Sequence, residues 1–366
     1  MVAWLAAGDG DFAVPISQER LFARMQAQQK THIRIFRPML LGILASLFFA
    51  VTFVFNEAMS LRGGPWFWSA ALRYFFMLPC LIAVVSLRGG LSELLESIRH
   101  HGRQWLVWGT IGFGLFYAPL CFSSAYGPAW LVAGSWQITI VCGVLLTPWL
   151  SPRGSSGVRT RLPRRELVTS TVILLGVALM ESAQSTHVRP GAWFAAFLPV
   201  VLAAIAYPLG NRKTMMMFSS SLDTYQRLLG MTIGSLPFWI ALCAIGVPFA
   251  GWPSPSQVLG SLVVALSSGV IATALFFAAT DMARNSPKWL AVVEATQAGE
   301  VLFTLFGQML VLPGAAPTPA GYVGIAIVVA GLCVHSLQMG QFKQRVSPEA
   351  AARSVSLRVD GEPWDQ

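Results

Sequence analysis

Two carboxylates stand in a stretch otherwise suited to lipid. SPKWLAVVEATQAGEVLF (286–303) carries Glu294 and Glu300 with Gln297 between them. An acid near the bilayer centre costs roughly 2–3 kcal/mol on insertion scales, so it normally faces a cavity or a partner. At about 100° per residue, Glu294, Gln297, Glu300, Thr304 and Gln308 fall on one arc of a helix. Such a stripe suits a helix lining a wet pathway. Its acids could bind a cationic substrate, or one could take up a proton and couple its return to substrate movement. The structural alternative is a stripe packed on polar groups of a neighbouring helix, with Arg73 in SAALRYFF as the obvious partner.

Other residues offer binding chemistry rather than catalysis. Arg73 could pair with an acid or hold the anionic group of a metabolite. Trp136, Gln137 and Tyr117 could form an aromatic wall with a few polar groups for a flat, hydrophobic substrate. Asn56 and Asn211, with Tyr207 one turn before the latter, could hydrogen-bond to each other, lock helices or touch substrate. Trp130 and Trp289 lie near the ends of apolar runs, where an interfacial belt is expected. The five cysteines form no CxxC pair, the five histidines are scattered, and no HExxH or Walker sequence occurs. No catalytic residue, metal or cofactor is therefore expected.

These residues need helices to hold them in lipid. The chain has 366 residues, of which 55% are hydrophobic and 11% charged. Soluble domains carry about 25% charged residues, so this chain lacks the polar surface to cover a globule. Its apolar runs are each near the roughly 20 residues that a helix needs to cross a bilayer. Ten are expected, near 38–58, 66–87, 104–125, 129–149, 166–186, 190–211, 225–247, 257–281, 287–312 and 318–338. The fold class is all-α integral membrane.

Basic residues sort by loop. The tails and the even-numbered loops hold 22 of the 25 Lys and Arg, while the odd loops hold only Arg62 and Arg189. The positive-inside rule then puts both termini in the cytoplasm of a plasma (inner) membrane protein. The net charge of +9 follows from this topology and does not call for nucleic acid. Residues 1–37 read as a cytoplasmic tail in which Met25 offers an alternative start, and 341–366 as a second tail. LSELLESIRHHGR (91–103) reads as a short amphipathic helix on the cytoplasmic face.

The two halves resemble each other. GPAWLVAGSWQ (127–137) matches SPKWLAVVEATQ (286–297): Pro128 with Pro287, Trp130 with Trp289, Leu131 with Leu290, and Gln137 with Gln297 after one residue of slip. Asn56 and Asn211 also correspond. Five spans per half make the second half enter from the opposite side. This gives an inverted repeat of 38–186 and 187–340, a construction typical of secondary transporters.

Ten spans in that arrangement resemble the drug/metabolite transporter superfamily. Within it, GGPWFWSAALRYFFMLP (63–79), GFGLFYAPLCFSSAYGPAWLVAGSWQ (112–137) and YPLGNRKTMM (207–216) resemble the multidrug resistance efflux transporter family. The resemblance implies export of a small molecule from the cytoplasm, with protons as a candidate coupling ion. Small relatives carry an essential acid in the first span; here that span has no acid before Glu57 at its outer end. One chain already holds both repeats, so dimerisation is not required to build a pathway. The alternatives are a membrane-embedded sensor or scaffold, or a membrane enzyme.

Overall fold

The computed structural model describes residues 16–150, 164–185, 190–218, 221–283, 287–312 and 316–338. Among them are ten helices long and apolar enough to cross a membrane. They are α1 (Phe36–Leu61), α2 (Trp66–Leu87), α3 (Leu91–Ser123), α4 (Ala129–Leu146), α5 (Leu167–Gln184), α6 (Gly191–Phe218), α7 (Thr224–Ala250), α8 (Pro255–Ala283), α9 (Trp289–Val311) and α10 (Pro319–Gln338). Helix is forced here, because a backbone without water must satisfy its own hydrogen bonds. No strand occurs among the described residues.

Three boundaries differ from expectation. The helix containing α1 begins at Ile16, well before its membrane-spanning part. Helix α6 runs to Phe218. The segment expected to lie separately at 91–103 is continuous with α3, bent at His101 (φ −125°, ψ 28°). At 33 residues and about 1.5 Å per residue, α3 exceeds the roughly 30 Å hydrocarbon core. Its first turns therefore extend beyond that core. Residues 1–15, the Arg153–Arg161 loop and the 341–366 tail lie outside the described residues.

Successive helices cross back and forth, leaving two faces. One carries loops 62–65, 124–128 and 251–254; the other carries loop 88–90 and the turn before Thr224. On the second face, Asp223 caps α7 in a capping box with Gln226. Gln226 also donates to Gly90 O at 2.8 Å and Glu93 Oε2 at 2.9 Å, tying the two loops together.

Helix α1 packs along α8 and α9, α2 along α7 and α8, and α3 along α6 and α7, while α4 bridges α6 and α9. Small residues permit the closest approaches. A side chain at Gly210 on α6 would run into the backbone of Gly112 on α3.

Four helices are irregular. α3 contains a π-helical segment at Thr110–Gly114, and α8 another at Ala265–Ala272. Their starts are 155 positions apart (265 − 110). In α4 the α-helix stops at Trp136 and resumes at Ile138. In α9 a 3-10 turn occupies Thr296–Ala298. Gln137 and Thr296 are 159 positions apart (296 − 137), the offset of Pro128 and Pro287. Irregularities of this kind cost hydrogen-bond geometry and concentrate at functional sites.

Candidate functional site

The irregular segments converge on two charged residues. Arg73 on α2 is buried. Its guanidinium lies over the Tyr117 ring, 4.3 Å from the centroid, and its Nη1 donates to Thr52 Oγ1 at 3.3 Å. Thr52 in turn donates to Ser268 Oγ at 2.5 Å, and Ser268 belongs to the π segment of α8. Tyr117 follows the π segment of α3 and is fully buried. Its hydroxyl lies 3.2 Å from Asn56 Nδ2 and 3.3 Å from Asn56 Oδ1. Tyr74 beside Arg73 stacks on Trp239 at 4.8 Å and meets Phe113 of the same π segment at 5.2 Å.

This shell positions the Arg73 cation without neutralising it. Among the described residues no carboxylate lies within 4.0 Å of it, and its Nε is buried with no hydrogen-bond partner. The cation–π contact and Thr52 supply what stabilisation there is. Of the roles left open for Arg73, an ion pair with Glu300 within 4.0 Å does not occur among the described residues.

Glu300 stands across from Arg73, just past the 3-10 turn of α9. Gln137, at the break in α4, is buried and donates through Nε2 to Ala133 O of its own helix at 3.2 Å. Tyr207 on α6 lies within the electrostatic range of both Glu300 and Arg73. Its ring meets Phe116 at 4.8 Å and Trp136 at 5.5 Å, yet it remains 37% exposed. Glu300 is half-buried as well. Helices α2, α6 and α9 share no extended contact with one another, and the three side chains bring a cation, an acid and an aromatic ring from separate helices.

The polar stripe expected along α9 divides. Glu294 and Gln297 are half-buried, and Gln297 Nε2 donates to Gly42 O of α1 at 3.4 Å. Thr304 and Gln308 are fully buried and face α4. Gln308 Oε1 accepts from Trp130 N at 2.8 Å, while its Nε2 donates to Glu57 Oε1 at 3.4 Å. Glu57 Oε2 accepts from Ala129 N at 2.7 Å. Pro128 provides no side-chain cap for α4, so α1 and α9 cap it together. The 3-10 turn resets the helical phase, which is why one stripe does not run the whole length. Trp130, expected at a membrane interface, has only 2% of its surface exposed, because this cap draws it inward.

Asn56 and Asn211 do not bond to each other. Asn56 meets Tyr117, whereas Asn211 Nδ2 donates to Tyr207 O in its own helix at 3.0 Å. Two acids hold roles that the sequence reading did not assign. Glu57 stood out only as an acid at a span end. Glu181 is 4% exposed on α5 and accepts from Ser135 Oγ of α4 at 2.5 Å. A lone acid in GVALMESAQ was the only signal for it. Above Glu57, a crevice of about 320 Å³ opens on the 62–65 face, bordered by Ser124, Tyr126 and Trp130.

Comparison with known proteins adds to this geometry. Residues 36–341 match the EmrE family model, described as "Putative multidrug resistance efflux transporter". The "Uncharacterized protein YjlA" of Bacillus subtilis (strain 168) is 48% identical over 305 residues, covering 82% of this chain and 94% of that protein. A Shouchella clausii protein, the "Uncharacterized 42.1 kDa protein in intracellular alkaline protease 3'region", is 45% identical over 268 residues, 73% of this chain and 70% of its own. A crystal structure with 18% identity superposes with a TM-score of 0.56 over 83% of this chain and 98% of its own, a likeness of fold alone.

Proposed function

We propose that this chain, which belongs to the EmrE-type multidrug resistance efflux transporter family and is a multi-pass membrane transporter, is a proton-coupled secondary exporter. Its cargo is a small hydrophobic or cationic compound, or a metabolite. Glu300 carries the exchanging proton. Arg73, Tyr207, Trp136 and Gln137 line the binding space; Asn56 and Tyr117 hold Arg73 in place. Glu294, Gln297 and Asn211 lie along the approach to it. The observation that supports this reading is a buried Arg73 with no carboxylate within 4.0 Å among the described residues and an unpartnered Nε, in a bundle that also holds a half-buried Glu300 in an apolar helix. A group that is held loosely between helices can change partners when they move.

The transport cycle rocks one five-helix repeat against the other. Support for the repeat comes from the paired irregularities in α3 and α8 and in α4 and α9. They let the helices around the site bend at matching points. We place the chain in the plasma membrane with both tails in the cytoplasm, on the strength of the basic-residue pattern.

The test is flux in liposomes. With an imposed pH gradient, wild-type protein moves a cation or metabolite from a broad panel against its concentration. Glu300→Gln keeps the fold and loses the gradient-driven flux. Full coupled flux in that variant, or no flux of any compound in the wild type, rejects the proposal.

A further inference from the structure

The crevice above Glu57 takes no part in the transport cycle proposed for Glu300. It measures about 320 Å³ and opens on the 62–65 face. Gln308, which reaches Glu57, lies eight residues beyond Glu300 on α9, about 12 Å along the helix. The crevice is therefore set roughly two turns from Glu300 toward that face.

Its floor is a carboxylate. Glu57 borders the crevice and is 7% exposed. Its Oε2 accepts from Ala129 N at 2.7 Å, and its Oε1 takes a longer bond, 3.4 Å, from Gln308 Nε2. Both donors are neutral amides. Among the described residues no Lys, Arg or His nitrogen lies within 4.0 Å of it. An ionised carboxylate offers about four lone-pair sites, so about two stay open. A buried charge without a counter-charge is costly, and a cation in the crevice offsets that cost.

The rest of the lining selects among cations. Ser60, Ser124 and Gln184 add neutral polar groups, and the side chains of Tyr126 and Trp130 border the same space. Calcium takes roughly six to eight oxygen ligands, and magnesium demands near-ideal octahedral geometry. One carboxylate that already holds two amides supplies neither. An organic ammonium needs only a few acceptors and gains from aromatic faces. The open lone pairs of Glu57 call for N–H donors, so a primary ammonium fits better than a quaternary one, which has none. The volume lies at the small end of ligand pockets, so the body attached to the ammonium is small.

We infer that this crevice binds the primary ammonium group of a small amine, with Glu57 as its counter-ion and Tyr126 as a wall for its apolar part. Two sources present that group at this face: a free amine in solution and the headgroup of an ethanolamine lipid.

Full-length protein in phosphatidylcholine nanodiscs is titrated by calorimetry at pH 7.5 with benzylamine, benzyltrimethylammonium and benzyl alcohol. Each titration is repeated in Glu300→Gln, which removes the acid of the transport proposal, and cooperative thermal unfolding checks every variant. Benzylamine is expected to bind about tenfold tighter than the other two probes in both proteins. Glu57→Gln keeps an acceptor for Ala129 N and should weaken benzylamine about tenfold; Tyr126→Ala, at a half-exposed position, should weaken it about threefold. Where Glu57→Gln does not unfold cooperatively, the Tyr126→Ala shift and the preference for primary over quaternary ammonium decide. Replacing part of the lipid with phosphatidylethanolamine identifies the source: competition with benzylamine assigns the site to the headgroup, and undiminished benzylamine binding assigns it to free amine. Equal affinity for benzyltrimethylammonium, benzylamine binding unchanged by Glu57→Gln, or no benzylamine binding to folded wild-type protein overturns the inference. Binding lost in Glu300→Gln but kept in Glu57→Gln also overturns it while leaving the exporter proposal standing, because the amine then sits at the transport site.

Discussion

At the scale of single residues, burial separates polar groups that hold the bundle together from those that stay half-buried, such as Glu294 and Glu300. Gln308 belongs to the first set. Its amide joins Glu57 to the start of α4, so Gln308→Leu leaves the Trp130 N–H and one Glu57 oxygen without partners. We expect a loss of roughly 1–3 kcal/mol, read as a lower thermal midpoint in detergent. Thr304 is the contrasting case. Its hydroxyl is already buried without a partner, so Thr304→Val should hold or raise the midpoint. Ser135→Ala should also destabilise by roughly 1–3 kcal/mol, because Ser135 donates to Glu181 while the other Glu181 oxygen is unpaired. The acids in the ninth apolar run were legible in the sequence, since charge in an apolar segment is conspicuous. The partners were not. Gln308 and Trp130 are separated by 178 positions, and no local periodicity encodes which way two distant helices rotate toward each other.

Elements show why that rotation could not be read from spacing. Uniform helix at about 100° per residue predicts one stripe on α9, but the 3-10 turn at Thr296–Ala298 advances the phase. Gln297 within that turn bonds to α1, whereas Gln308 beyond it bonds to both α4 and α1. The π segments of α3 and α8 likewise aim Tyr117 and Ser268 toward the Arg73 shell. Glycine allows the helices carrying them to meet: Gly112 within the first π segment abuts Gly210. Gly210→Val would drive a side chain into the Gly112 backbone and force α3 and α6 apart, at a cost of roughly 1–3 kcal/mol. The expected result is a lower thermal midpoint and, in the folded fraction, weaker flux, since Phe116 and Tyr207 meet across the same helix pair. A midpoint equal to wild type would show that the α3–α6 contact is looser than the packing requires.

For the whole molecule, the repeating pattern of long apolar runs leaves no alternative to a helical bundle, and the uneven distribution of Lys and Arg is the basis of the proposed orientation. A phosphatase that is active only outside the cytoplasm should be inactive when fused after Gln366 and active when inserted in the 62–65 loop. The opposite result would invert the proposed topology. The sequence alone determined the number of crossings, their approximate ends and the presence of acids in the ninth crossing, because span length and hydropathy are local and lipid admits only one local solution. Tertiary structure decided which polar groups meet: that Arg73 rests on Tyr117 rather than on an acid, and that Glu57 and Gln308 cap α4. Those outcomes depend on helix rotation and on small phase slips at the π and 3-10 segments. Both are set by packing between helices far apart in the chain.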